Sequence, residues 1–330
     1  MYEMEAIMNR IAVSEFFAAS CTPEGGAYRY RLYADGQTEL LQKIPMDRAK
    51  YLALQNGVLY ATLIAPFPES DDSGVLRVDL AGNQIGEILS AKGHGICHIA
   101  VCEADIYAAN YGAGSLIKLP DTLVVHEGCG VNPDRQEKPH VHSVFLSPCK
   151  NYVLSCDLGT DDLYVYTRNM TFVSKAKTPL GAGPRHLCFS KCGKFVYCLN
   201  EMGGSISVFA WEEGFLAYLH TISILPPDFS GEGAAAAIKL SQDGKRLYAT
   251  ERASNRIVTL EVNGSELTVL AHTHCGGDHP RDLELLAQDK YCICTNLFSD
   301  NMAAFRMDEN GVPVQINSIF LEQPLCAIEV

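Results

Sequence analysis

A three-segment pattern that recurs along the chain constrains the fold of this sequence more than any other feature. Its clearest copies are HSVFLSPCKNYVLSCDLGTDDLYVYT, RHLCFSKCGKFVYCLNEMGGSISVFA and AAIKLSQDGKRLYATERASNRIVTLE. Each copy has two short apolar segments joined by a turn, followed by a small polar turn and a third apolar segment. This order is typical of an antiparallel meander. Asp243-Gly244 and Cys192-Gly193 supply the residue types that tight hairpin turns require.

Weaker copies extend this pattern over most of the 330 residues, and the third segments end at Tyr30, Val78, Leu119, Tyr166, Phe209, Leu260 and Phe305. The gaps between these positions are 48, 41, 47, 43, 51 and 45 residues. A period of this length with several strands per unit is typical of β-propeller blades, so seven copies predict an all-β, seven-bladed propeller with four-stranded antiparallel blades. We expect one domain over residues 1–330, because no linker interrupts the series.

The two ends of the chain predict how the ring closes. The C-terminal segment PLCAIEV resembles the first strand of a blade, whereas IAVSEFFAAS and AYRYRLY near the N-terminus supply further strands. We therefore expect one blade to be shared between the N- and C-terminal segments. Such sharing covers strand edges that an open array would leave free to aggregate.

Composition excludes several classes of protein. The chain is 47% hydrophobic and 20% charged, which permits a large core and argues against disorder. A net charge of −13 argues against a nucleic-acid partner, although a few arginines in one cleft can still bind a small anion. We expect no membrane partner, because no apolar run reaches the ~18 residues that span a bilayer. Glu3, Glu5 and Glu15 are unlike a secretory signal and indicate a cytoplasmic protein. Nothing in the sequence specifies an oligomeric state.

The thirteen cysteines indicate a reducing compartment rather than a disulfide framework. Their number is odd, and no C-x-x-C pair begins a zinc or redox site. Cys188, Cys198, Cys292 and Cys294 lie within apolar segments, where cysteine behaves as a small hydrophobic residue. We expect these four thiols to be buried and structural.

Polar residues at two positions of each repeat are the candidates for chemistry. The first strand of a propeller blade lines the central channel, and ligands bind at the ends of that channel. The residues that open the first strands or follow the second strands are His140, His142, Arg185, His186, Arg281, Asn110, Tyr111, Asp157, Glu201, Glu251, Arg252 and Asn296. Because neighbouring residues on a strand point to opposite faces, we do not expect both Arg185 and His186 to face the channel.

The segments around these residues resemble the seven-bladed lactonase family, which includes propeller-type 6-phosphogluconolactonases and fungal carboxy-muconate cyclases. The resemblance covers about residues 90–330 and rests on three motifs. They are PRH with Arg185, NE with Glu201 sixteen residues after that arginine, and a later DGKRLY that is followed by ER with Arg252. It implies a catalytic cluster of His142, Arg185, Glu201 and Arg252 and a place in carbohydrate metabolism, in the pentose phosphate pathway. One departure is the alanine run of GEGAAAAIKL, where Ala234 and Ala237 predict a less polar or roomier pocket wall.

The residue types suit lactone hydrolysis by an activated water. His142 has the side chain whose ordinary pKa fits a general base near neutrality, and Glu201 could orient it or position the water. Arg185 would stabilise the developing oxyanion, while Arg252 and Arg281 would bind a phosphate or carboxylate. His186, Asn110 and Asp157 are further candidates for binding a small anionic lactone. There is no G-x-S-x-G sequence, so a serine nucleophile is not expected.

Metal and nucleotide sites are the weaker alternatives. His140 and His142 could begin a zinc site, but no third ligand is evident nearby, and the resemblance implies no metal. Asp157, Asp161 and Asp162 cluster at one turn, where they are expected to shape the hairpin rather than hold calcium. GAGPRH lacks the lysine and helix of a phosphate-binding loop. We therefore expect no cofactor.

The leading hypothesis is a lactone hydrolase that resembles 6-phosphogluconolactonase and acts on a phosphorylated or carboxylated sugar lactone. Two alternatives stay open. One is a carboxymuconate-type cycloisomerase that forms a lactone ring in the same pocket, and the other is a non-catalytic propeller that binds a protein or a small acid.

Overall fold

The apolar repeat segments form β-strands in a computed structural model that describes residues 11–330. In the copy HSVFLSPCKNYVLSCDLGTDDLYVYT, for example, Asp157 at the end of one strand pairs with Asp162 at the start of the next. Residues 11–330 contain 28 strands, arranged as seven antiparallel sheets of four. The predicted seven-bladed β-propeller is confirmed.

Six blades each consist of four consecutive strands, which we number from the inner strand outward. Blade 1 has β4 (Ala49–Gln55), β5 (Val58–Leu63), β6 (Gly74–Asp79) and β7 (Leu89–Ser90), and blade 2 has β8 (Ile96–Cys102), β9 (Asp105–Asn110), β10 (Ser115–Lys118) and β11 (Thr122–Val125). Blade 3 has β12 (Val141–Leu146), β13 (Tyr152–Asp157), β14 (Asp162–Thr167) and β15 (Phe172–Lys177), and blade 4 has β16 (Pro184–Phe189), β17 (Phe195–Asn200), β18 (Ser205–Glu212) and β19 (Phe215–Ser223). Blade 5 has β20 (Ala235–Leu240), β21 (Arg246–Glu251), β22 (Arg256–Asn263) and β23 (Glu266–His274), and blade 6 has β24 (Pro280–Leu286), β25 (Tyr291–Asn296), β26 (Asn301–Met307) and β27 (Pro313–Phe320).

Blade 7 closes the ring with strands from both ends of the chain. Its outer strands are β1 (Ala12–Ser20), β2 (Gly26–Tyr33) and β3 (Thr38–Pro45), and its inner strand is β28 (Pro324–Glu329). β28 pairs with β1 in antiparallel register. The expected sharing of one blade between the termini is confirmed, and hydrogen bonds between the two ends of the chain hold the ring closed.

Contacts between neighbouring blades form the core. The inner strands follow one another in the closed order β28, β4, β8, β12, β16, β20 and β24, and the last contacts the first. Leu199 and Val208 of blade 4, for example, pack against Leu247 and Val258 of blade 5, and all four are fully buried. Each such side chain contributes about 1.5–3 kcal/mol by leaving water. Because both faces of a blade are covered, the apolar alternation along each strand is incomplete.

The cysteines are free thiols, and most are buried. Cys198, Cys292 and Cys294 are fully buried as expected, while Cys188 is only partly buried. Burial raises the pKa of the Cys188 thiol to about 12. These side chains therefore act as small apolar groups of the interblade core.

A β-bulge near the start of every inner strand sets the geometry of the central channel. At each bulge the inner strand has one residue more than its partner strand, as where Val141 and Ser143 oppose the consecutive residues Asp157 and Cys156. Bulges of this kind redirect a side chain and increase the local twist of the strand. The second residue of each inner strand lies at its bulge, and these seven residues, which we call the channel ring, are Lys50, Cys97, His142, Arg185, Ala236, Arg281 and Leu325.

Candidate active site

A cavity of about 410 Å³ lies at the end of the central channel where the inner strands begin. Six blades contribute to its wall, which consists of Lys50, Cys97, Tyr111, Arg135, His142, Glu201, Gly233, Ala234, Arg252, His279 and Arg281. The volume is within the range of small-molecule sites. Arg185 lies in the adjoining narrow part of the channel, together with Lys50, Cys97 and Arg281. The structure therefore brings together five of the sequence-predicted residues: His142, Arg185, Glu201, Arg252 and Arg281.

His142 reaches the cavity wall from the bulge of β12. Its Nε2 lies 3.9 Å from Oε2 of Glu201, its Nδ1 is buried without a hydrogen-bond partner, and its ring packs edge-on against Tyr111 and His186. Burial and the nearby charges of Arg185 and Arg281 lower the pKa of His142 well below its ordinary value. The imidazole is therefore neutral at pH 7, which is the form that a general base requires.

Glu201 is the carboxylate around which three arginines converge. Arg185 Nε lies 3.0 Å from Oε2, and Nη2 atoms of Arg135 and Arg252 lie 2.7 Å and 3.1 Å from Oε1. Burial favours the neutral acid, but the Arg252 and Arg185 guanidinium groups outweigh it and lower the pKa of Glu201 to about 2. Glu201 is therefore ionised at neutral pH, and its hydrogen bonds fix the directions of the guanidinium groups.

The alanine run holds two of these arginines through its backbone. The carbonyl oxygen of Ala234 accepts a 2.7 Å hydrogen bond from Arg252 Nε, and the carbonyl of Ala236 accepts one from Arg185 Nη1. Small side chains let both guanidinium groups approach the main chain of β20 closely. Ala234 lines the cavity, and Ala237 is buried in the core, so the effect of the run is to anchor cations as well as to leave space.

Lys50 and Arg281 are cations of a different kind, since neither side chain forms a hydrogen bond or salt bridge with any residue in the range 11–330. Both are partly buried and line the cavity and its narrow extension. Burial and the positive charge of Arg281 lower the pKa of Lys50, and burial and Arg252 lower the pKa of Arg281. Unpaired charges are costly to bury, so this pair is a ready site for an anion.

Arg135 is a cavity residue that the sequence candidates did not include, and it lies beside Tyr111, which they did include. Arg135 comes from the connection between β11 and β12, which Gln136 fixes by donating to the carbonyl of Leu158 and to Asp161 Oδ1. Arg135 Nη2 also lies 3.4 Å from the Tyr111 hydroxyl. Nothing in the repeat marks Arg135, because connections between blades have no period.

Lys50 and Cys97 carry a sequence signal that could have identified them. They occupy the second position of their inner strands, as His142, Arg185 and Arg281 do in theirs. Cys97 Sγ donates to the carbonyl oxygen of His142 at 2.9 Å. Alignment of all seven inner strands by this position would have revealed both residues.

Three of the predicted binding residues do not line the cavity. Asp157 accepts hydrogen bonds from the backbone N–H groups of His140 and Gly159 and contacts His126 Nδ1 at 2.7 Å. The Asn110 amide donates to the carbonyl of Ala91. Asp157 and Asn110 each end a second strand. The cavity instead receives the residue one position after the second strand in three copies of this turn, namely Tyr111, Glu201 and Arg252. The reason is strand alternation, which directs consecutive side chains to opposite faces.

His186 lies deeper in the channel, in a cluster of aromatic rings. The ring centroids of His98 lie 4.4 Å from Tyr51, 4.7 Å from Phe145 and 5.0 Å from His186. These rings narrow the channel between the cavity and its opposite end. Arg185 and His186 both line the narrow part of the channel, so the expectation that they do not both face the channel is wrong. The β-bulge between Pro184 and His186 interrupts the side-chain alternation on which that expectation rests.

The residues considered for a metal site contact different partners. The ring of His140 stacks on Tyr111 at 4.4 Å and its Nε2 contacts Glu137, whereas His142 faces Glu201. Asp161 accepts hydrogen bonds from the backbone N–H groups of Gly181 and Gly183 and so holds the connection between blades 3 and 4. In the described part of the chain, no three His, Cys, Asp or Glu side chains converge as metal ligands would.

Acid should destabilise this protein through its buried histidines. Burial lowers the pKa of His98 to about 3 and of His279 to about 4, and burial together with Arg185 lowers the pKa of His186 well below its ordinary value. Below pH ~6.5 the unfolded chain therefore binds more protons than the native state. As the pH is lowered further, the free energy of unfolding falls by at most about 1.4 kcal/mol per pH unit for each such histidine.

Thermal unfolding at pH 7.5, 6.5, 5.5 and 4.5 tests this expectation. The melting temperature should be constant down to about pH 6.5 and then fall steadily. A His98→Phe variant, which removes one titrating group but keeps a ring, should have a shallower decline. A melting temperature that rises on acidification would contradict the assignment of neutral, buried histidines.

Residues 11–330 include no helix that is long and apolar enough to cross a bilayer.

Comparison with known proteins gives consistent matches over nearly the whole chain. The family model described as "Lactonase, 7-bladed beta-propeller" matches residues 15–328. An uncharacterised protein of Lactococcus lactis subsp. cremoris is 33% identical over 307 residues, which are 86% of each chain. The solved structure of a Pseudomonas aeruginosa periplasmic gluconolactonase, PpgL, is 25% identical with a TM-score of 0.87, over 96% of this chain and 99% of that one. A Bacteroides fragilis protein, described provisionally as a 6-phosphogluconolactonase, shares the fold at 24% identity with a TM-score of 0.86, over 96% and 98% of the two chains.

Proposed function

Since this chain belongs to the seven-bladed β-propeller lactonase family, we propose that it hydrolyses a lactone that carries an anionic group. A phosphorylated or carboxylated sugar lactone is the substrate class, and 6-phosphogluconolactone is the most specific candidate. This substrate would place the protein in the pentose phosphate pathway.

The observation that carries this proposal is the charge of the cavity. Lys50, Arg135, Arg185, Arg252 and Arg281 surround a single carboxylate, Glu201, in a protein whose net charge is −13. Burial and Arg281 lower the pKa of Arg185 only to about 9, so this guanidinium stays cationic at neutral pH. A cavity with such a surplus of positive charge concentrates anions, because its walls focus the field.

Hydrolysis would begin with a water molecule beside His142. The neutral imidazole accepts a proton while the water oxygen forms a bond to the lactone carbonyl carbon. The carbonyl oxygen becomes an oxyanion, which the Arg185 guanidinium group stabilises. The ring C–O bond then breaks, and the proton held by His142 passes to the departing alkoxide. The product is the open hydroxy acid.

Glu201 would act as a positioning residue in this scheme. Protonation of Glu201 would disrupt the salt bridges that its carboxylate makes with three guanidinium groups, so we do not assign it the role of general base. Its two oxygens instead hold three guanidinium groups in place before the substrate arrives. Such preorganised charge lowers the barrier because little reorganisation is needed in the transition state.

We also propose a cytoplasmic location. All thirteen cysteines are free thiols, and several are partly exposed or exposed, as Cys129, Cys149 and Cys192 are. Free exposed thiols persist in reducing compartments.

A panel of lactones with and without a phosphate group, followed by pH-stat, tests the proposed function. We expect hydrolysis of the phosphorylated member to exceed that of its neutral counterpart by at least about tenfold in kcat/KM, or about 1.4 kcal/mol. The uncatalysed opening of each lactone must be measured and subtracted. Equal rates would contradict the anionic substrate, and turnover of a muconolactone alone would favour the cycloisomerase. Binding of lactones without turnover would favour a non-catalytic propeller.

A further inference from the structure

The five cations of the cavity fall into two groups with different partners. Arg135, Arg185 and Arg252 form salt bridges with Glu201, and those of Arg135 and Arg185 are also hydrogen bonds. Lys50 and Arg281 make no such bond within residues 11–330, although both line the cavity and its narrow extension. The single carboxylate of Glu201 offsets only one of the three positive charges of the first group, but it fixes these guanidinium groups in place. The second group retains its donors for a ligand that enters the cavity.

The order of blades around the ring gives the two groups different places. β4 and β24, which carry Lys50 and Arg281, both contact β28. Leu325 of β28 lies between them in the channel ring and contributes no charge. The two inner strands farthest from β28 in the ring are β12 and β16, which carry His142 and Arg185. The unpaired cations and the reacting groups therefore face each other across the channel.

We infer that Lys50 and Arg281 form a subsite for the phosphoryl group of the substrate, opposite the residues that attack the lactone carbonyl. This inference rests on the proposed function, and it assigns the anion to Lys50 and Arg281 rather than to Arg252 and Arg281. Arg252 donates to the carbonyl oxygens of Ala234 and Ala235 and forms a salt bridge with Glu201, so its Nε and Nη2 atoms are already engaged by the protein.

A phosphoryl group matches this pair better than a carboxylate does. Two unpaired cations that line the same narrow part of the channel repel each other, and a dianion neutralises both at once. The guanidinium of Arg281 can donate two parallel hydrogen bonds to phosphate oxygens, while the ammonium of Lys50 binds as a compact point charge. In a six-carbon sugar lactone with its phosphate on C6, the carbonyl C1 and the phosphate lie at opposite ends of the molecule. Such a substrate would span the channel from Lys50 and Arg281 to His142 and Arg185.

Binding of inorganic phosphate to the whole protein, measured by calorimetry, tests the subsite without any lactone. We expect saturable binding by the wild type, binding about tenfold weaker in Lys50→Met, and binding close to that of the wild type in Lys50→Arg, which keeps the charge. Lys92→Met is the matched control, because Lys92 is an exposed lysine paired with Asp121. Acetate should bind more weakly than phosphate in every protein that keeps the subsite.

Thermal unfolding gives a second readout that a purely structural lysine would not give. In phosphate-free buffer, Lys50→Met should melt at a higher temperature than the wild type, because an unpaired cation beside Arg281 has been removed. Addition of phosphate should raise the melting temperature of the wild type and of Lys92→Met, and should raise that of Lys50→Met much less at the same phosphate concentration.

Several outcomes would overturn the subsite. They are a wild type that does not bind phosphate, equal binding by wild type and Lys50→Met, equal loss in Lys50→Met and Lys92→Met, and acetate binding as tight as phosphate binding. These measurements involve no turnover, so the subsite can fail while lactone hydrolysis is intact. Conversely, phosphate binding with no hydrolysis of any lactone would support the subsite and contradict the proposed function.

Discussion

Replacement of Glu201 with glutamine is expected to destabilise the protein by about 3–5 kcal/mol and to abolish most lactone hydrolysis. The neutral amide leaves Arg135, Arg185 and Arg252 without the carboxylate that they share. Glu201 is only 5% exposed, and the side chains of Arg185 and Arg252 are 4% and 8% exposed, so water can take over little of these two contacts. The freed guanidinium groups then repel one another and lose the directions that oxyanion stabilisation requires. Urea unfolding at pH 7.5 in phosphate-free buffer measures the loss.

Asp105→Asn is the matched control for this change. Asp105 is also a carboxylate held by two cations, with Lys118 Nζ at 2.9 Å and Arg168 Nη2 at 2.7 Å, but its side chain is 22% exposed. Partly exposed pairs of this kind contribute about 0–1 kcal/mol. If Glu201→Gln costs no more stability than Asp105→Asn, then Glu201 does not organise the arginines of the cavity. Added phosphate should restore part of the lost stability in Glu201→Gln, since it can neutralise the same cations.

Replacement of His142 with phenylalanine is expected to lower kcat by about 10²–10⁴-fold. The substitution keeps an aromatic ring between Tyr111 and His186 but removes the nitrogen that accepts the proton of the water. Stability should change little, because Nδ1 of His142 has no hydrogen-bond partner to lose. The measurement is the steady-state rate with the best substrate of the lactone panel, corrected for uncatalysed ring opening.

His140→Phe is the corresponding control. His140 lies two residues earlier in the chain, and its ring also packs on Tyr111, but it does not line the cavity. We expect this variant to keep most of the wild-type kcat. A His142→Phe enzyme with the wild-type kcat would remove His142 from the mechanism, and equal losses in both variants would indicate a general disturbance of blade 3.

Most of the fold could be predicted because its information is local. The seven third-strand positions from Tyr30 to Phe305 lie in the third strands of the seven blades or, for Leu119, directly after one. Turns such as Asp243-Gly244 close hairpins whose strands are only a few residues apart in sequence. The closing blade could be predicted as well. PLCAIEV can form only the inner strand of a blade, and the N-terminal segments supply the outer strands that complete it.

The candidate site was only partly predictable. Equivalent positions of the repeated blades meet at one end of the central channel because of the symmetry of the ring. The grouping of five predicted residues follows from this symmetry, and they are His142, Arg185, Glu201, Arg252 and Arg281. The choice between adjacent residues does not follow from the repeat. Asn110 and Tyr111 are neighbours, yet Asn110 holds a turn and Tyr111 lines the cavity.

The sequence by itself determined the number of blades, the strand order within them and the end of the channel where basic residues collect. These properties depend on apolar alternation and turn residues, which act over a few positions. Only the tertiary structure decided that Lys50 and Arg281 are unpaired, that Arg135 reaches Glu201, and that the alanine carbonyls hold Arg185 and Arg252. Those contacts depend on the bulges of the inner strands and on the paths of loops between blades, which are set by the packing of all seven blades around one axis.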